Sequence, residues 1–301
     1  MLVLDEVSAV LQLMVLQFGR IVPYWIAGVA VGSLVQMFLS PRMSQAASRI
    51  GEGRLGLPKT ALAAGLGAAS PICMYGTVPL IASMARKGVP QHLLAAFMAS
   101  SVLINPNLFV FSFALGAPLA VIRLLACLAI GIAAGLLVRI FFKDRPLFDL
   151  TGFPEGKCRG AGAPTARDLL ASLNRGILTT APYLLAGIFL TALFDRWFPR
   201  DWMDWAFTSN KGLGVVIAAS LGVPVYVCGG GTIPLLRSWL GAGMSPGSAL
   251  GFMISGPATK LTNLGAVKII LGTRNLLLYV AFNITFAIAS GLLLDAMGLR
   301  S

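Results

Sequence analysis

Two short stretches combine cysteine with glycine and proline, and their residue types are those best suited to chemistry in this chain. Val223–Leu235 reads VPVYVCGGGTIPL, and Ile72–Leu80 reads ICMYGTVPL. Cysteine thiolates bind soft metals and metalloids, and glycine lets a ligand approach the backbone closely. Either stretch would interrupt a helix, which a bilayer tolerates only where the backbone is buried in protein or lines a cavity. We therefore expect both stretches to border a binding site.

The two stretches belong to an internal repeat. An offset of 155 residues (228 − 73) superimposes them, and from Cys73 to Ser100 this alignment gives 10 identities in 28 positions. Helix interruptions at corresponding positions of two halves are the sequence feature that best indicates the binding site of a repeat-built transporter. The aligned pairs in the two motifs are Cys73 with Cys228, Gly76 with Gly231, Thr77 with Thr232 and Pro79 with Pro234.

The composition is typical of a membrane protein. Of the 301 residues, 57% are hydrophobic and 11% are charged, and the mean hydropathy is +0.83; soluble domains carry about 25% charged residues. Runs of roughly 20 apolar residues can cross a bilayer. They predict an all-α polytopic protein of about eight apolar segments in the lipid bilayer, multi-pass in the cytoplasmic (inner) membrane. The net charge of +12 comes largely from short loops, as orientation signals do, so we expect no nucleic-acid binding.

One long hydrophilic stretch divides the chain. We assign residues 1–142 to a first membrane repeat, 143–173 to a central loop and 174–301 to a second membrane repeat. Three apolar segments are predicted to be broken: Thr60–Ala85 at SPICMYG, Gln91–Leu115 at Asn105–Pro106, and Gly247–Leu271 around Gly256–Lys260. Two others, Pro118–Phe142 and the final span Asn275–Asp295, are predicted to be unbroken.

Loop charges favour inverted repeats over parallel ones. If all eight segments cross, the halves are parallel and loop Lys and Arg are almost evenly divided between the two sides. If the two Cys–Gly segments are instead re-entrant hairpins, most of these cations share one side, as the positive-inside rule requires. Three crossings per half then make the repeats inverted and pseudo-symmetric. The first hairpin's arms, Thr60–Ala69 and Thr77–Ala85, would each be about 15 Å long, enough to reach the midplane.

Lys260 is predicted to be a functional charge, because a lysine near the middle of an apolar segment is costly to bury. Its counterpart in the first half is Asn105. Thr77 and Thr232 are predicted to cap half-helices whose N-termini attract anions. No Asp or Glu lies within any apolar segment. Coupling must then use Lys260, a thiol, a tyrosine such as Tyr75 or Tyr226, or an ion held by backbone carbonyls.

Two functions remain open for this site. Cys73 and Cys228 could act as a pair of soft ligands for trivalent arsenic, Cu(I) or Zn(II); alternatively the helix N-termini and Lys260 could carry an oxyanion of sulfur or arsenic, with the cysteines incidental. Helix packing is the alternative role of the glycines. The predicted substrate-binding residues are Cys73, Tyr75, Gly76, Thr77, Pro79, Asn105, Pro106, Tyr226, Cys228, Gly229, Gly230, Gly231, Thr232, Pro257, Lys260 and Asn263.

Catalytic signatures are missing from the sequence. It contains no HExxH, GxSxG or Walker-type motif, so we expect neither an enzyme nor a cofactor, an intramembrane enzyme being the less favoured reading. The single histidine, His92, is predicted to start a helix, and Cys127 to be a small apolar residue. The partners expected are a small-molecule or ion substrate and the bilayer, and a homo-oligomer is left open.

The stretch YVCGGGTIPLLRSWLGAGMSPGSALGFMISGPATKLTN, with PICMYGTVPLIASMARKGVP and LINPN, resembles the predicted permeases typified by the organoarsenical-efflux permease ArsP. The resemblance covers nearly the whole chain. It implies an inner-membrane carrier of two related halves that exports trivalent organoarsenicals or, in some branches, soft metals. By position it assigns substrate contact to Cys73, Gly76, Pro79, Asn105, Pro106, Cys228, Gly229, Gly230, Gly231, Pro257 and Lys260. Many relatives read C-x-C-G in the first half, whereas Cys73-Met74-Tyr75 has one cysteine, which weakens a metal-cluster role. One cysteine per hairpin could still bind a mono-organic arsenical.

Overall fold

The structure, a computed structural model, describes residues 56–70, 74–86, 88–104, 106–143, 145–149, 211–226, 232–241 and 243–298, with scattered positions at 8–26 and 167–189. All regular elements in these ranges are helical. They are α1 (Gly56–Ala69), α2 (Met74–Arg86), α3 (Gln91–Leu103), α4 (Pro106–Ser112), a 3-10 turn (Phe113–Leu115), α5 (Ala117–Phe141), α6 (Lys211–Val225), α7 (Thr232–Gly241), α8 (Pro246–Thr259) and α9 (Leu261–Ala296).

Two of these helices, α5 and α9, are long and apolar enough to cross a bilayer. A third span is possible within the described ranges if Gln91–Leu103 and Leu108–Leu115 act as one element, bent by 48°. The predicted run Pro118–Phe142 is confirmed as α5. The predicted final span is also confirmed, because Gly272 (φ 67°, ψ 175°) breaks α9 shortly before it; these dihedral angles are accessible mainly to glycine.

The helix interruptions predicted from proline and glycine are present in the structure. Helix α1 ends at Ala69 and α2 begins at Met74; α3 ends at Leu103 and α4 begins at Pro106. Proline lacks an N–H and disfavours helical geometry in the preceding residue, so a helix ends before it. The capping role predicted for Thr77 is wrong, because α2 begins one turn earlier and Thr77 lies inside the helix. Thr232 is the first described residue of α7, so its capping role stays a prediction.

In the first half, α1 runs alongside α3 in the same direction. Gly135 of α5 lies against both Thr60, near the start of α1, and the carbonyl of His92, near the start of α3. At the other end of both helices, Ser70 Oγ is 3.2 Å from Ser101 Oγ. Helix α5 packs against both helices.

Helix α2 returns to the level at which α1 began. Near its start, Thr77 Oγ1 is 3.1 Å from Ser101 Oγ, so it begins beside the end of α3. It ends at Arg86, and α3 begins at Gln91 after a short loop. Both outer ends of the α1–α2 pair therefore lie near the start of α3.

In the second half, α6 packs alongside α8. Val215 of α6 lies against Gly251 of α8, and Gly222 lies against Ser255 further along, so α6 and α8 run in the same direction. Helix α7 then ends at Gly241, shortly before α8 begins. The outer ends of the α6–α7 pair therefore lie near the start of α8.

The starts of α3 and α8 lie at opposite ends of the molecule. At what we call the Gln91 end, the Leu147 N–H donates to Gln91 Oε1 (2.7 Å) and Asn275 Nδ2 donates to the Leu147 carbonyl (2.8 Å). At the Ser245 end, Ser245 Oγ donates to Asp295 Oδ2 (2.7 Å) and the Gly247 N–H donates to Asp295 Oδ1 (2.8 Å). The part of α9 between Asn275 and Asp295 is about 30 Å long at 1.5 Å per residue, so one hydrocarbon thickness separates the two ends.

Small residues permit the close packing of these helices. Gly131 and Gly135 form a G-x-x-x-G motif on α5, and a Cβ at either position would overlap residues of α1 and α3. Close approach of backbones through small residues is a common basis for helix association in membranes, where the surrounding lipid is as apolar as the side chains. Glycine packing is thus present at these two positions; the packing role left open by the sequence concerned Gly229, Gly230 and Gly231, which lie outside the described residues.

Candidate functional site

Lys260 lies at the junction of two helices in the second half. It ends α8 with φ −50° and ψ 135°, and α9 begins with the next residue. The side chain is only 2% exposed, so it does not extend to the surface. The described carboxylates, Asp149 and Asp295, lie at the two ends of the molecule. Lys260 is therefore a buried lysine at a helix break, and its role as a functional charge stays a prediction.

Two local hydrogen bonds stabilise this break. Asn263 Nδ2 donates to the Pro257 carbonyl at 2.7 Å, and Thr259 Oγ1 donates to the Ser255 carbonyl at 2.7 Å. The first bond satisfies a carbonyl that a continuous helix would pair with a backbone N–H. Of the predicted site residues, Pro257, Lys260 and Asn263 thus lie together within one turn of the junction.

Tyr75 connects the first half to this junction. Its hydroxyl donates to the Thr262 carbonyl at 2.9 Å, and both residues are buried. Tyr75 lies in the first turn of α2, directly after the break that holds Cys73 in the sequence. The bond therefore places the start of α2 against the helix junction at Lys260.

Loss of this bond should destabilise the protein measurably. We expect Tyr75→Phe to lower the unfolding free energy by about 1 kcal/mol, the net contribution of a typical hydrogen bond. Tyr279→Phe is the matched control, because the buried Tyr279 hydroxyl has no hydrogen-bond partner in the described part of the chain, and its removal should be neutral or slightly stabilising. Thermal unfolding in detergent measures both variants; equal melting temperatures would show that the Tyr75 bond contributes nothing.

A buried arginine, which the sequence analysis did not single out, lies beside the second-half motif. Arg123 of α5 is 1% exposed. Its Nη1 donates to Ser112 Oγ (2.7 Å), and its Nη2 donates to the carbonyls of Met253 (3.2 Å) and Leu103 (3.4 Å). Its Nε is buried and has no hydrogen-bond partner within the described ranges.

Arg123 also lines a small cavity with two predicted site residues, Tyr226 and Thr232. The rule that selected Lys260, the cost of a charge inside an apolar segment, would have selected Arg123 as well. It lies only a few residues from the start of its segment, however, where a long side chain can extend to the interface. The sequence could not decide whether the Arg123 side chain is buried or extends to the membrane interface.

The other predicted residues occupy varied positions. Gly76 and Thr77 are buried in α2, Pro79 is half-buried in the same helix, and Pro106 is exposed at the start of α4. Six predicted residues lie outside the described ranges: Cys73, Asn105, Cys228, Gly229, Gly230 and Gly231.

The model of the ArsP_1 family, described as predicted permeases, matches residues 6–296. The chain belongs to this family. It is also 25% identical over 283 residues to the UPF0718 protein YcgR of Bacillus subtilis (strain 168), an alignment that covers 90% of this chain and 92% of that protein. No solved structure matches the chain. Family membership and the two long apolar helices indicate a membrane permease, a transporter rather than an enzyme.

Proposed function

We propose that the protein is a secondary permease of the cytoplasmic membrane that exports trivalent organoarsenicals or a related thiophilic species. The observation that carries this proposal is the bond from Tyr75 to Thr262, which joins the Cys73 motif of one half to the Lys260 junction of the other. A substrate bound there would contact both halves, as in alternating-access carriers. The sequence has no ATP-binding motif, so an ion gradient is the proposed energy source.

The helix directions support inverted repeats and re-entrant hairpins. The outer ends of α1 and α2 lie at the Gln91 end, whereas those of α6 and α7 lie at the Ser245 end. Each of these helices has at most 15 residues, about 22 Å, which is too short to cross a hydrocarbon core of about 30 Å. Each pair would enter the membrane from one side, turn inside it and leave on the same side.

The distribution of charge supports an orientation. Five basic residues are close in sequence to helix termini at the Gln91 end: Arg86, Arg139, Lys143, Arg145 and Arg274. By the positive-inside rule this end faces the cytoplasm. The first hairpin would then enter from the cytoplasm and the second from the opposite side.

A pair of cysteines gives the proposed site its affinity for soft ligands. Cys73 precedes α2 directly, and Cys228 lies in the sequence between Tyr226 and Thr232, which both line the Arg123 cavity. Trivalent arsenic with one organic group has two exchangeable positions. Each thiol would replace one hydroxyl on arsenic and release one water molecule, so two cysteines suffice without further metal ligands.

Uptake of methylarsenite into everted membrane vesicles tests the proposal. We expect Cys73→Ser/Cys228→Ser to lower the uptake rate by about tenfold or more, because serine does not bind soft ions as a thiolate does. Cys127→Ala is the matched control, because Cys127 is buried in α5 and has no proposed role in substrate binding. Uptake that is unchanged in the double variant would contradict a thiol-based site.

An oxyanion carrier is the second candidate, and two buried cations favour it. Lys260 and Arg123 are 2% and 1% exposed, and neither described carboxylate lies in the Arg123 cavity. Buried charges usually need an opposite charge nearby, which an anionic substrate would supply. Arsenate or sulfate uptake that survives in the double cysteine variant would establish this function instead.

A further inference from the structure

We propose that the cavity beside Arg123 binds a small inorganic anion of about the size of chloride. The cavity is lined by residues of four different helices. They are Leu108, Phe111, Arg123, Tyr226, Thr232, Leu236 and Met253. Because α4 and α5 belong to the first half and α7 and α8 to the second, an anion bound here would lie between the halves.

The hydrogen bonds of Arg123 leave its charge without compensation. Every acceptor described for it is neutral: backbone carbonyls, the Ser112 hydroxyl and the thiol of Cys127. The Ser112 hydroxyl itself donates to the Leu108 carbonyl at 2.6 Å, so its oxygen is oriented to accept from the guanidinium. Neutral dipoles offset only part of the cost of burying a charge.

One donor of the guanidinium is also unused. An arginine carries five N–H groups, and the Nε of Arg123 is buried with no hydrogen-bond partner among the residues that the structure describes. Two of the bonds made by the other nitrogens, to the Leu108 carbonyl at 3.5 Å and the Leu103 carbonyl at 3.4 Å, are long. Strong hydrogen bonds from a cation to oxygen lie near 2.8 Å. An anion in the adjoining cavity would supply both the missing acceptor and the opposite charge.

The size of the cavity limits the choice of ligand. It has room for about one water molecule. Chloride is somewhat larger than water, so its binding requires a small outward shift of the lining side chains. One oxygen of a larger oxyanion would fit the same position only if the surrounding helices moved apart.

The apolar lining supports an anion rather than a cation. Leu108, Phe111, Leu236 and Met253 offer no carboxylate, and Arg123 would repel a cation. Thr232, the first described residue of α7, also lines the cavity with its polar side chain.

Equilibrium binding of radioactive chloride to the purified full-length protein in detergent tests the proposal, with gluconate as the inert replacement anion. We expect saturable binding of about one ion per chain in the wild type. Arg123→Gln should weaken it by about 10- to 100-fold, the usual effect of losing a hydrogen bond from a charged group. Arg139→Gln, which removes the same charge from an exposed position of the same helix, should bind as the wild type does.

Two further measurements complete the test: chloride binding by a second variant, and competition by arsenate. If Arg123→Gln does not fold, Arg123→Lys retains the charge and should bind chloride more weakly than the wild type; wild-type affinity in that variant would overturn the role of the guanidinium. Arsenate as competitor identifies the source of the anion. Displacement of chloride by arsenate would indicate that the site takes an oxyanion substrate. If arsenate does not displace chloride, the site holds a resident halide. Either result supports an anion site.

Absence of saturable chloride binding by the wild type would overturn the proposal, as would equal binding by wild type and Arg123→Gln. Binding is measured without a membrane gradient and does not depend on arsenical transport. The anion site and the proposed permease function can therefore fail separately.

Discussion

Replacing Lys260 by methionine should abolish most transport without destabilising the protein. We expect the uptake rate of methylarsenite or arsenate in everted vesicles to fall by about 10- to 100-fold, the effect of losing one charged contact to substrate. An anion would lose its counter-charge. A thiol-bound arsenical would lose the positive charge that favours the thiolate form of a nearby cysteine. The melting temperature should be unchanged or higher, because removing a buried charge that has no ionic partner among the described residues also removes its desolvation cost.

Lys268→Met is the matched control for this prediction. Lys268 lies eight residues further along the chain, in α9, but its side chain is exposed. The control variant loses the same charge from the same segment and should transport at the wild-type rate. Equal loss in both variants would indicate a general effect of charge on membrane insertion. Full transport by Lys260→Met would show that Lys260 has no part in transport.

Replacing Gly67 by alanine should have the largest effect on stability. A Cβ at Gly67 would overlap the carbonyl oxygen of Phe97, a backbone atom of α3 that no side-chain rotation can move away. The two helices must separate, and we expect a loss of about 1–3 kcal/mol of unfolding free energy, typical of overpacking in a dense interior. Thermal unfolding in detergent would show this as a lower melting temperature.

Gly65→Ala is the control that distinguishes an effect of helix packing on stability from an effect of helix propensity. Gly65 lies on the same helix, and a Cβ there meets no atom within 4 Å. Alanine favours a helix by about 0.5–1 kcal/mol over glycine, so this variant should be equally or more stable than the wild type. A loss of stability at Gly65 equal to that at Gly67 would contradict close packing of α1 on α3.

Local breaks in the helices were predictable because local chemistry causes them. Pro106 excludes a helical hydrogen bond and restricts the residue before it, and the glycine-rich and proline-rich motifs do the same elsewhere. The break before α2, the start of α4, the helix junction at Lys260 and the extent of α5 all follow from these signals. The exact start of α2 did not, since Thr77 has the side chain of a cap yet lies inside the helix.

By itself, the sequence determined the membrane class, the two aligned cysteine motifs and the position of Lys260 within an apolar segment. These features depend on composition and on residues near one another in the chain. Only the tertiary structure showed that Tyr75 contacts the Thr262 carbonyl, 187 residues away, and that Arg123 is buried between the halves rather than extended to the interface. Such contacts depend on how helices distant in sequence pack together. Burial of a charge depends on its neighbours in space, which the sequence of one segment does not specify.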